Sequence, residues 1–482
     1  MAGSSRRGFL KFASATAAAS AVLNRIPAWA DAAAASGPVQ IWSTFRDRRH
    51  ASGESLAWKP AVQVSADAIT LDPTATRQQI LGFGAALTDA SCYLLSQLHN
   101  DDRAALMREL FDPGEMALNV CRTCIGSSDY SRSVYSFDDS DEDDPELKKF
   151  SIDHDKAYIL PVLRDARKLN PDLFLFSSPW SPPGWMKSNR SMLGGAMRKP
   201  SFAPYADYFV KFLAAYRDAG VAIDAVTVQN EVDTDQDGRM SACLWGQEYE
   251  IGFVRDHLGP ALRKQGGTTK IWILDHNYNL WGRAIDELSD AGLYEYVDGV
   301  AWHGYVGEAG AMTRVHEAFP QKNCYWTEGG PDIRSPDYQT DWANWAQTFN
   351  GIVNNWARSI TAWNVALDEE GKPNVGPFSC GGLVTIENAT HKVTRSGQYW
   401  AFAHYSKHVL RGALVFGANG MAGSAAQSSA GGVSHVGFRN PDGSMVVVLT
   451  NSGEERQIQL VLGSRALEVE LPADSVQTLQ WS

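Results

Sequence analysis

The chain has 482 residues, and its 44% hydrophobic and 20% charged composition is close to that of an average globular protein. This length and composition exclude a mostly disordered, collagen-like or disulfide-scaffold chain and leave room for one large domain and a smaller one, or for about three ordinary domains. The 55 acidic residues outnumber the 43 basic ones, and the resulting net charge of −12 argues against nucleic acid and anionic lipid as partners.

The first thirty residues are predicted to be an export signal. Arg6 and Arg7 form a twin-arginine signature, residues 12–23 are rich in alanine, and residues 28–30 read Ala-Trp-Ala, a cleavage-site pattern. The alanine-rich stretch is too short to span a membrane, and no other run of about twenty apolar residues follows it. We therefore expect export by the twin-arginine route to the periplasm or the exterior, with no membrane segment once residues 1–30 are removed. An ordinary basic N-terminus is the alternative.

Between residues 76 and 408, apolar strand-like runs alternate with amphipathic helical patterns such as 205–219, 247–264 and 341–356. Eight such repeats predict an α/β fold, the (β/α)8 barrel. A doubly wound sheet is the alternative, but the only candidate phosphate loop, at residues 82–87, lacks its last glycine. The predicted strands are 79–83, 118–125, 173–178, 225–230, 270–275, 297–303, 323–327 and 359–363.

The two ends of the chain are predicted to form one β-sandwich. After residue 409 the pattern changes to short alternating runs, at 432–438, 445–449, 457–462 and 466–471. Residues 440–443 read Asn-Pro-Asp-Gly, which is typical of a turn between strands. Residues 39–75 carry similar patches, so we expect N-terminal strands to join the C-terminal region 409–482, with the barrel inserted between them.

Two motifs with possible metal or redox chemistry are given structural interpretations. Cys121 and Cys124 form a C-x-x-C pattern, but in a strand two residues three apart point to opposite faces and cannot share a ligand. The six cysteines also show no disulfide-framework spacing. The acidic run 138–146 lacks the glycine and ligand spacing of a calcium loop, so a solvated loop is favoured over a calcium site.

Glu231 and Glu328 stand at the ends of the fourth and seventh predicted strands. Residues at the carboxyl ends of barrel strands face the active site, and the separation of these two matches about three repeats of roughly 30 residues. Two facing carboxylates are what glycosidic cleavage requires, one as proton donor and one as nucleophile or base. The alternative is that each glutamate is an ion-pair partner in a loop.

The chain resembles glycoside hydrolase family 30, a family of retaining (β/α)8 glycosidases. The matching segments run in order over nearly the whole chain, at residues 82–90, 122–131, 178–187, 227–231, 302–305, 327–329 and 363–364. The resemblance implies a barrel joined to a β-sandwich, with Glu231 as the acid/base and Glu328 as the nucleophile. In that arrangement the negative charge of Glu328 is expected to raise the pKa of Glu231 and keep it protonated.

The resemblance also implies roles for other side chains. Asn230 matches a residue that binds the sugar 2-OH, Arg122 one that keeps the nucleophile ionised, and Tyr305 one that hydrogen-bonds it. His303 is expected to line the pocket or support it. Residues that match those holding the nonreducing-end sugar are Asp129, Trp180 and Trp363. A structural role is the alternative for each, and no metal or organic cofactor is implied.

The expected activity is hydrolysis of β-glucosides with retention, and the expected partner is a carbohydrate or glycolipid substrate. The glucosylceramidase and β-glucosidase branches are the main interpretation, with an endo-β-1,6-glucanase as the first alternative and a β-xylosidase or xylanase as the next. An inactive sugar-binding protein is the alternative from a different class. The chain departs from the family at Val232-Asp233, where a proline is usual, and this difference could reshape the loop near the aglycone.

Overall fold

The structure, a computed structural model, describes residues 37–419 and 432–482. The predicted export signal at residues 1–30 lies outside this part of the chain. No helix in the described ranges is long and apolar enough to cross a membrane.

The larger domain is the predicted (β/α)8 barrel, with eight parallel strands in one sheet. Its strands are β5 (Gly82–Ala85), β6 (Val120–Cys124), β7 (Phe174–Ser178), β8 (Ala225–Thr227), β9 (Lys270–Asn277), β10 (Val297–His303), β11 (Asn323–Glu328) and β12 (Ala357–Ala362). Each pairs with its neighbour in chain order, and β12 pairs with β5. A parallel bridge between Ala86 and Arg122 joins β5 to β6, so the sheet closes around a core rather than forming the alternative doubly wound arrangement.

The helices cover the outside of the barrel. They are α1 (Asp89–Gln97), α2 (Asn100–Phe111), α3 (Ile159–Leu169), α4 (Phe202–Asp218), α5 (Gln247–Phe253), α6 (Gly259–Lys264), α7 (Trp281–Ser289), α8 (Ala291–Tyr294), α9 (Gly310–Ala318), α10 (Trp342–Asn354) and α11 (Gly397–Ser406). In α3 the buried side chains recur at helical spacing and face the strands. The predicted helix 247–264 is continuous, although residues 254–258 have a π-helical turn between α5 and α6.

The first barrel strand begins later than predicted. The predicted strand 79–83 spans the end of a long sandwich strand at Gln79 and the start of β5 at Gly82. Ile80 and Leu81 lie between them, so the apolar run is continuous although two strands meet there. A Cβ on Gly82 would lie 1.9 Å from Oδ1 of Asn119, which explains why glycine begins β5.

The smaller domain is a β-sandwich built from both ends of the chain, as predicted. Its N-terminal strands are β1 (Gln40–Phe45), β2 (Arg48–Ser52), β3 (Lys59–Pro60) and β4 (Ile69–Gln79). Its C-terminal strands are β16 (Leu414–Asn419), β17 (Val433–Arg439), β18 (Met445–Asn451), β19 (Arg456–Leu462), β20 (Arg465–Leu471) and β21 (Ser475–Trp481). The last strand, β21, pairs with β1, and β4 lies between β16 and β19. A further small sheet follows the barrel and contains β13 (Ala366–Leu367), β14 (Val384–Ile386) and β15 (Val393–Arg395).

Helices α10 and α11 attach the barrel to the sandwich. The buried ring of His404 hydrogen-bonds Thr44 and Thr478, which lie on β1 and β21. Asn350 donates to Ser434 on β17, and the Tyr405 hydroxyl donates to Asn350. Because these polar groups are buried and paired, the interface fixes the barrel on the sandwich.

Candidate active site

A cavity of about 400 Å³ opens at the carboxyl ends of the barrel strands. Seven of the nine predicted site residues line it: Asp129, Trp180, Asn230, Glu231, Tyr305, Glu328 and Trp363. The other two, Arg122 and His303, are fully buried and contact the residues of its floor. The structure therefore brings together all the side chains that the sequence singled out.

Glu328 ends β11 and is held by two donors. Arg122 donates from Nη1 to its Oε2, and the Tyr305 hydroxyl donates to its Oε1 at 3.0 Å. The side chain of Glu328 is 7% exposed, so one charge-assisted bond and one neutral bond orient a nearly buried carboxylate toward the cavity.

Arg122 points into the barrel from β6, as predicted, and is 0% exposed. Besides Glu328 it binds Asn230 Oδ1 at 2.8 Å, Asp275 Oδ2 at 2.7 Å and the Ser178 hydroxyl at 3.1 Å. Burial alone would lower the pKa of Arg122, but the charges of Asp275 and Glu328 raise it above its ordinary value. This cation therefore fixes the nucleophile candidate and Asn230 in one rigid arrangement.

Asp275 is the anchor of this arrangement, and the sequence analysis missed it. Its Oδ2 accepts from Arg122, Ser178 and Thr227, and its Oδ1 accepts from Thr327 at 2.7 Å. Burial opposes the charge, yet the Arg122 guanidinium and the His303 ring hold the pKa of Asp275 well below its usual range. A fully buried carboxylate thus stays ionised beneath the cavity.

A β-bulge explains the position of Asp275. Ile271 and Ile273 on β9 face the helices, so strict alternation would also turn residue 275 outward. Instead the register shifts between Leu274 and His276, and both Leu274 and Asp275 have positive φ, of 70° and 46°. The extra residue turns Asp275 into the barrel, which is a known use of bulges near active sites.

Glu231 lies on a loop, since β8 ends at Thr227 rather than at Asn230 as predicted. Its backbone adopts a positive φ of 54°, fixed by a hydrogen bond from its N–H to the Asp275 carbonyl at 3.0 Å. Gln236 donates to its Oε2 at 2.8 Å. A strained backbone at this position aims the carboxylate into the cavity.

Two imidazole rings beside Glu231 lower its pKa, contrary to expectation. Its Oε1 lies 3.5 Å from Nδ1 of His303 and 3.7 Å from Nδ1 of His276. Burial raises the pKa of Glu231, but these rings outweigh burial and bring the net pKa below its ordinary value. The expectation that the pKa of Glu231 would be raised overall is therefore wrong, because it left out both imidazoles. His303 carries the opposite shift: burial lowers its pKa, but Glu328, Asp275 and Glu231 raise it to about 9.

Trp180 and Trp363 pack against each other at the cavity wall, with ring centroids 5.0 Å apart and an angle of 21° between the rings. The Arg122 guanidinium lies over both indoles, 4.5 Å from the centroid of Trp180. Asp129 is 4% exposed, and burial together with the charges of Glu328 and Glu231 raises its pKa well above the ordinary value. The wall therefore offers apolar faces beside a single carboxyl group, a combination suited to a sugar ring.

The remaining motifs lie away from the reacting groups. Cys121 packs between strand and helices and Cys124 in the cluster around Trp180, so the two sulfurs occupy opposite faces as predicted. All six cysteines are free thiols. The acidic run 138–146 is a loop, as expected, and most of it is exposed, but Asp138 is fully buried rather than solvated. Its carboxylates include Asp138, which accepts from Trp185, and Asp143, which pairs with Arg190.

Besides Asp275, the cavity-lining residues Gln236, His276 and Asn277 were not among the predicted site residues. Asn277 Oδ1 accepts from the backbone of Tyr305 at 3.0 Å and so holds the tyrosine loop over the cavity. Gln236 lies on the loop after β8 and had no strand-end signal in the sequence. His276 and Asn277 were detectable in principle, because they directly follow the predicted fifth strand, which ends at Asp275. The same strand-end criterion that selected the two glutamates selects this segment too.

Three comparisons bear on the identity of this site. The sequence models of the glycosyl hydrolase family 30 TIM-barrel domain and beta sandwich domain match residues 80–409 and 421–479. An endo-1,6-beta-D-glucanase of Neurospora crassa is 34% identical over 415 residues, which cover 83% of this chain and 82% of the fungal protein. The lysosomal acid glucosylceramidase of Mus musculus is 28% identical over 442 residues, which cover 86% and 83%. Among solved structures, the endo-beta1,6-glucanase BT3312 has a TM-score of 0.83 at 28% identity, covering 92% of this chain and 99% of that one.

Proposed function

The chain belongs to glycosyl hydrolase family 30, and from this premise we propose that it is a retaining β-glucanase that cleaves internal β-1,6-glucosidic bonds. The observation that carries the proposal is the pair of carboxylates, Glu231 and Glu328, that line one cavity at the barrel mouth. A single His303 ring lies within 3.7 Å of both, so the two groups share one reaction centre. Complete acid and nucleophile positions disfavour the alternative of an inactive sugar-binding protein.

Glu328 is proposed as the nucleophile. The donors Arg122 and Tyr305 stabilise its charge before attack and fix its direction toward the anomeric carbon. Formation of the glycosyl ester neutralises this carboxylate, which weakens its attraction for Arg122 and His303. The buried ion pair of Arg122 with Asp275 persists through this change, because Asp275 takes no part in bonding to the sugar.

Glu231 is proposed as the acid/base, with its proton shared with His303. In the empty site the shifted pKa values place the proton on the imidazole and the charge on Glu231. When a glycosidic oxygen lies at Glu231, the pair can deliver that proton to the leaving group. Once the ester has formed and the proton has left with the leaving group, the Glu231–His303 pair is unprotonated, and Glu231 can accept a proton from the attacking water.

The sugar-binding residues are proposed from their place in the cavity. Asp129 offers carboxyl oxygens to sugar hydroxyls, and Asn230, whose Oδ1 accepts from Arg122, offers its amide N–H. The indoles of Trp180 and Trp363 bound the ring that is cleaved. Tyr305 and Phe378 line the same cavity, and these aromatic residues are 46% and 44% exposed. Exposed aromatic rings at the mouth suit further glucose units of a chain that extends beyond the cleaved bond.

The endo-1,6-β-glucanase activity is favoured over the glucosylceramidase activity that the sequence analysis placed first. Endo-1,6-β-glucanases from three fungi are 31% to 34% identical over at least 80% of this chain. Glucosylceramidase remains the second candidate, supported by the mouse relative and by four putative glucosylceramidases of Caenorhabditis elegans at 28% to 30% identity. Export through the signal proposed at residues 1–30 would place the enzyme where a polysaccharide is accessible.

The test is product analysis on four substrates: the β-1,6-glucan pustulan, gentiobiose, glucosylceramide and xylan. The proposal expects pustulan to be cleaved fastest and to yield oligosaccharides of mixed length early in the reaction. Glucose as the sole early product would show exo action. Faster release of ceramide than of glucan fragments would support the second candidate instead.

A further inference from the structure

Three potential metal ligands converge on the proposed acid/base. The Nδ1 atoms of His303 and His276 lie 3.5 Å and 3.7 Å from Oε1 of Glu231, and both nitrogens are buried and without a hydrogen-bond partner. The side chains of the two histidines are 0% and 7% exposed. Within residues 37–419 and 432–482, this is the one group of three or more His, Cys, Asp or Glu side chains whose ligand atoms lie close enough to hold an ion.

The other polar atoms of these three side chains already have partners within the protein. Nε2 of His276 pairs with Asp233 at 2.6 Å, and Nε2 of His303 pairs with Asp275 at 3.1 Å. Gln236 donates a hydrogen bond to Oε2 of Glu231, so that Oε1 is the oxygen that faces the imidazoles. A carboxylate on the far nitrogen of each imidazole is the arrangement that orients histidines in zinc sites. Asp233 belongs to the Val232-Asp233 segment in which the chain departs from the family, so this supporting carboxylate lies within that departure.

We propose that Glu231, His276 and His303 form a binding site for Zn²⁺, and that zinc at this site inhibits the enzyme. Two imidazole nitrogens and one carboxylate oxygen are a known three-ligand set for zinc, with the fourth position open, and zinc binding would release to solvent the proton that His303 carries in the empty site. Zinc–ligand distances near 2.0–2.1 Å place tetrahedral ligands about 3.3 Å apart, close to the two distances observed from Glu231 Oε1. The open position faces the cavity, where water can complete the coordination.

Inhibition follows from the role of Glu231, and this part of the inference rests on the proposed function. A carboxylate oxygen bound to zinc cannot hold or deliver the proton that the leaving group needs. Zinc would also occupy the space beside Glu231 that the glycosidic oxygen must enter. Because imidazole ligands favour zinc and copper over magnesium and calcium, Mg²⁺ is expected to have no effect at the same concentration.

The binding test uses the full chain and ZnCl₂ in isothermal titration calorimetry, with Co²⁺ absorption as a second probe. We expect one zinc per chain and the visible bands of tetrahedral Co²⁺. His276→Ala should weaken zinc binding at least tenfold, and Asp233→Asn should weaken it by roughly 10- to 100-fold through loss of the supporting carboxylate. His257→Gln removes a histidine from the outer helices and serves as the matched control, with unchanged binding. Thermal unfolding of each variant shows whether it is folded.

The inhibition test measures release of reducing ends from β-1,6-glucan with added ZnCl₂, then with excess EDTA. Reversible inhibition by zinc, and none by MgCl₂, supports the proposal. No stoichiometric zinc binding, or wild-type affinity in folded His276→Ala and Asp233→Asn, would overturn it. If zinc binds through these residues but no β-glycoside is cleaved, the metal site stands and the proposed function fails. If the enzyme is active and bound zinc leaves its rate unchanged, the inhibitory role is wrong.

Discussion

Asp275 and Arg122 form a fully buried ion pair, 2.7 Å long, beneath the two candidate catalytic glutamates. The hydroxyls of Ser178, Thr227 and Thr327 donate hydrogen bonds to the Asp275 carboxylate, and Arg122 also donates to Ser178. Both buried charges are therefore hydrogen-bonded as well as paired. Arg122 also donates hydrogen bonds to Glu328 and Asn230 and so holds both side chains in place. The position of the proposed nucleophile therefore depends on a carboxylate that does not itself reach the cavity.

Replacing Asp275 with Asn should damage both stability and catalysis. Loss of one partner of a buried ion pair costs about 3–5 kcal/mol, and the displaced Arg122 should lower kcat roughly a hundredfold. Asp298→Asn is a matched control, because Asp298 also pairs with a cation, Lys270, but at the start of β10. The control should lower the melting temperature while leaving kcat nearly unchanged. Equal kcat in both variants would contradict the role given to Asp275.

Glu328→Gln should abolish turnover without unfolding the chain, because an amide cannot form the glycosyl ester. Glu308→Gln, an exposed glutamate on the loop after Tyr305, is the control and should retain full activity. The measurement is the initial rate on β-1,6-glucan, together with circular dichroism of both variants. More than about a hundredth of the wild-type rate in Glu328→Gln would rule out its assignment as the nucleophile.

Glu231→Ala should slow substrates with poor leaving groups most, because these depend on protonation by the acid. Activated aryl glucosides should lose less in the first step but still deglycosylate slowly without the general base. Added azide needs no base and should restore turnover as a β-glycosyl azide. An α-azide would give Glu231 the role of the nucleophile instead, and it would be detected by NMR of the product.

The pH dependence should reveal the proton shared by Glu231 and His303. The pKa of His303 is raised to about 9, so the proton is present below this pH and is lost as the pH rises through it. We expect kcat/KM to fall near pH 9, with the limb belonging to the pair rather than to one residue. In His303→Asn the proton must reside on Glu231 alone, and the basic limb should move to lower pH. An unmoved limb in that variant would show that His303 is not its source.

The sequence was sufficient for most of the fold. Hydrophobic runs with a helical or alternating pattern determine which segments face the core, and these predicted the barrel and the two-part sandwich. The boundary at residues 79–82 was missed because an apolar run continues where two strands meet. Position at strand ends was enough to bring Glu231 and Glu328 to one cavity, since that property follows from barrel topology.

The rest of the site depends on local backbone geometry and side-chain contacts that the hydrophobic pattern of the sequence does not predict. A one-residue bulge turns Asp275 inward, and periodicity alone would have placed it against the helices. The pKa direction of Glu231 depends on His276 and His303, which approach from two other strands. Only three-dimensional contacts reveal that these imidazoles outweigh the effect of burial on the pKa of Glu231.

The central claim, retaining cleavage of β-1,6-glucan by Glu231 and Glu328, is tested most directly by proton NMR of pustulan during hydrolysis. The account predicts that the first new reducing ends are β anomers, which convert to the α form only by later mutarotation. Retention requires the two carboxyl groups to act about 5–5.5 Å apart through a covalent intermediate. Initial appearance of the α anomer would contradict the account, because inversion would require a wider gap and no covalent role for Glu328.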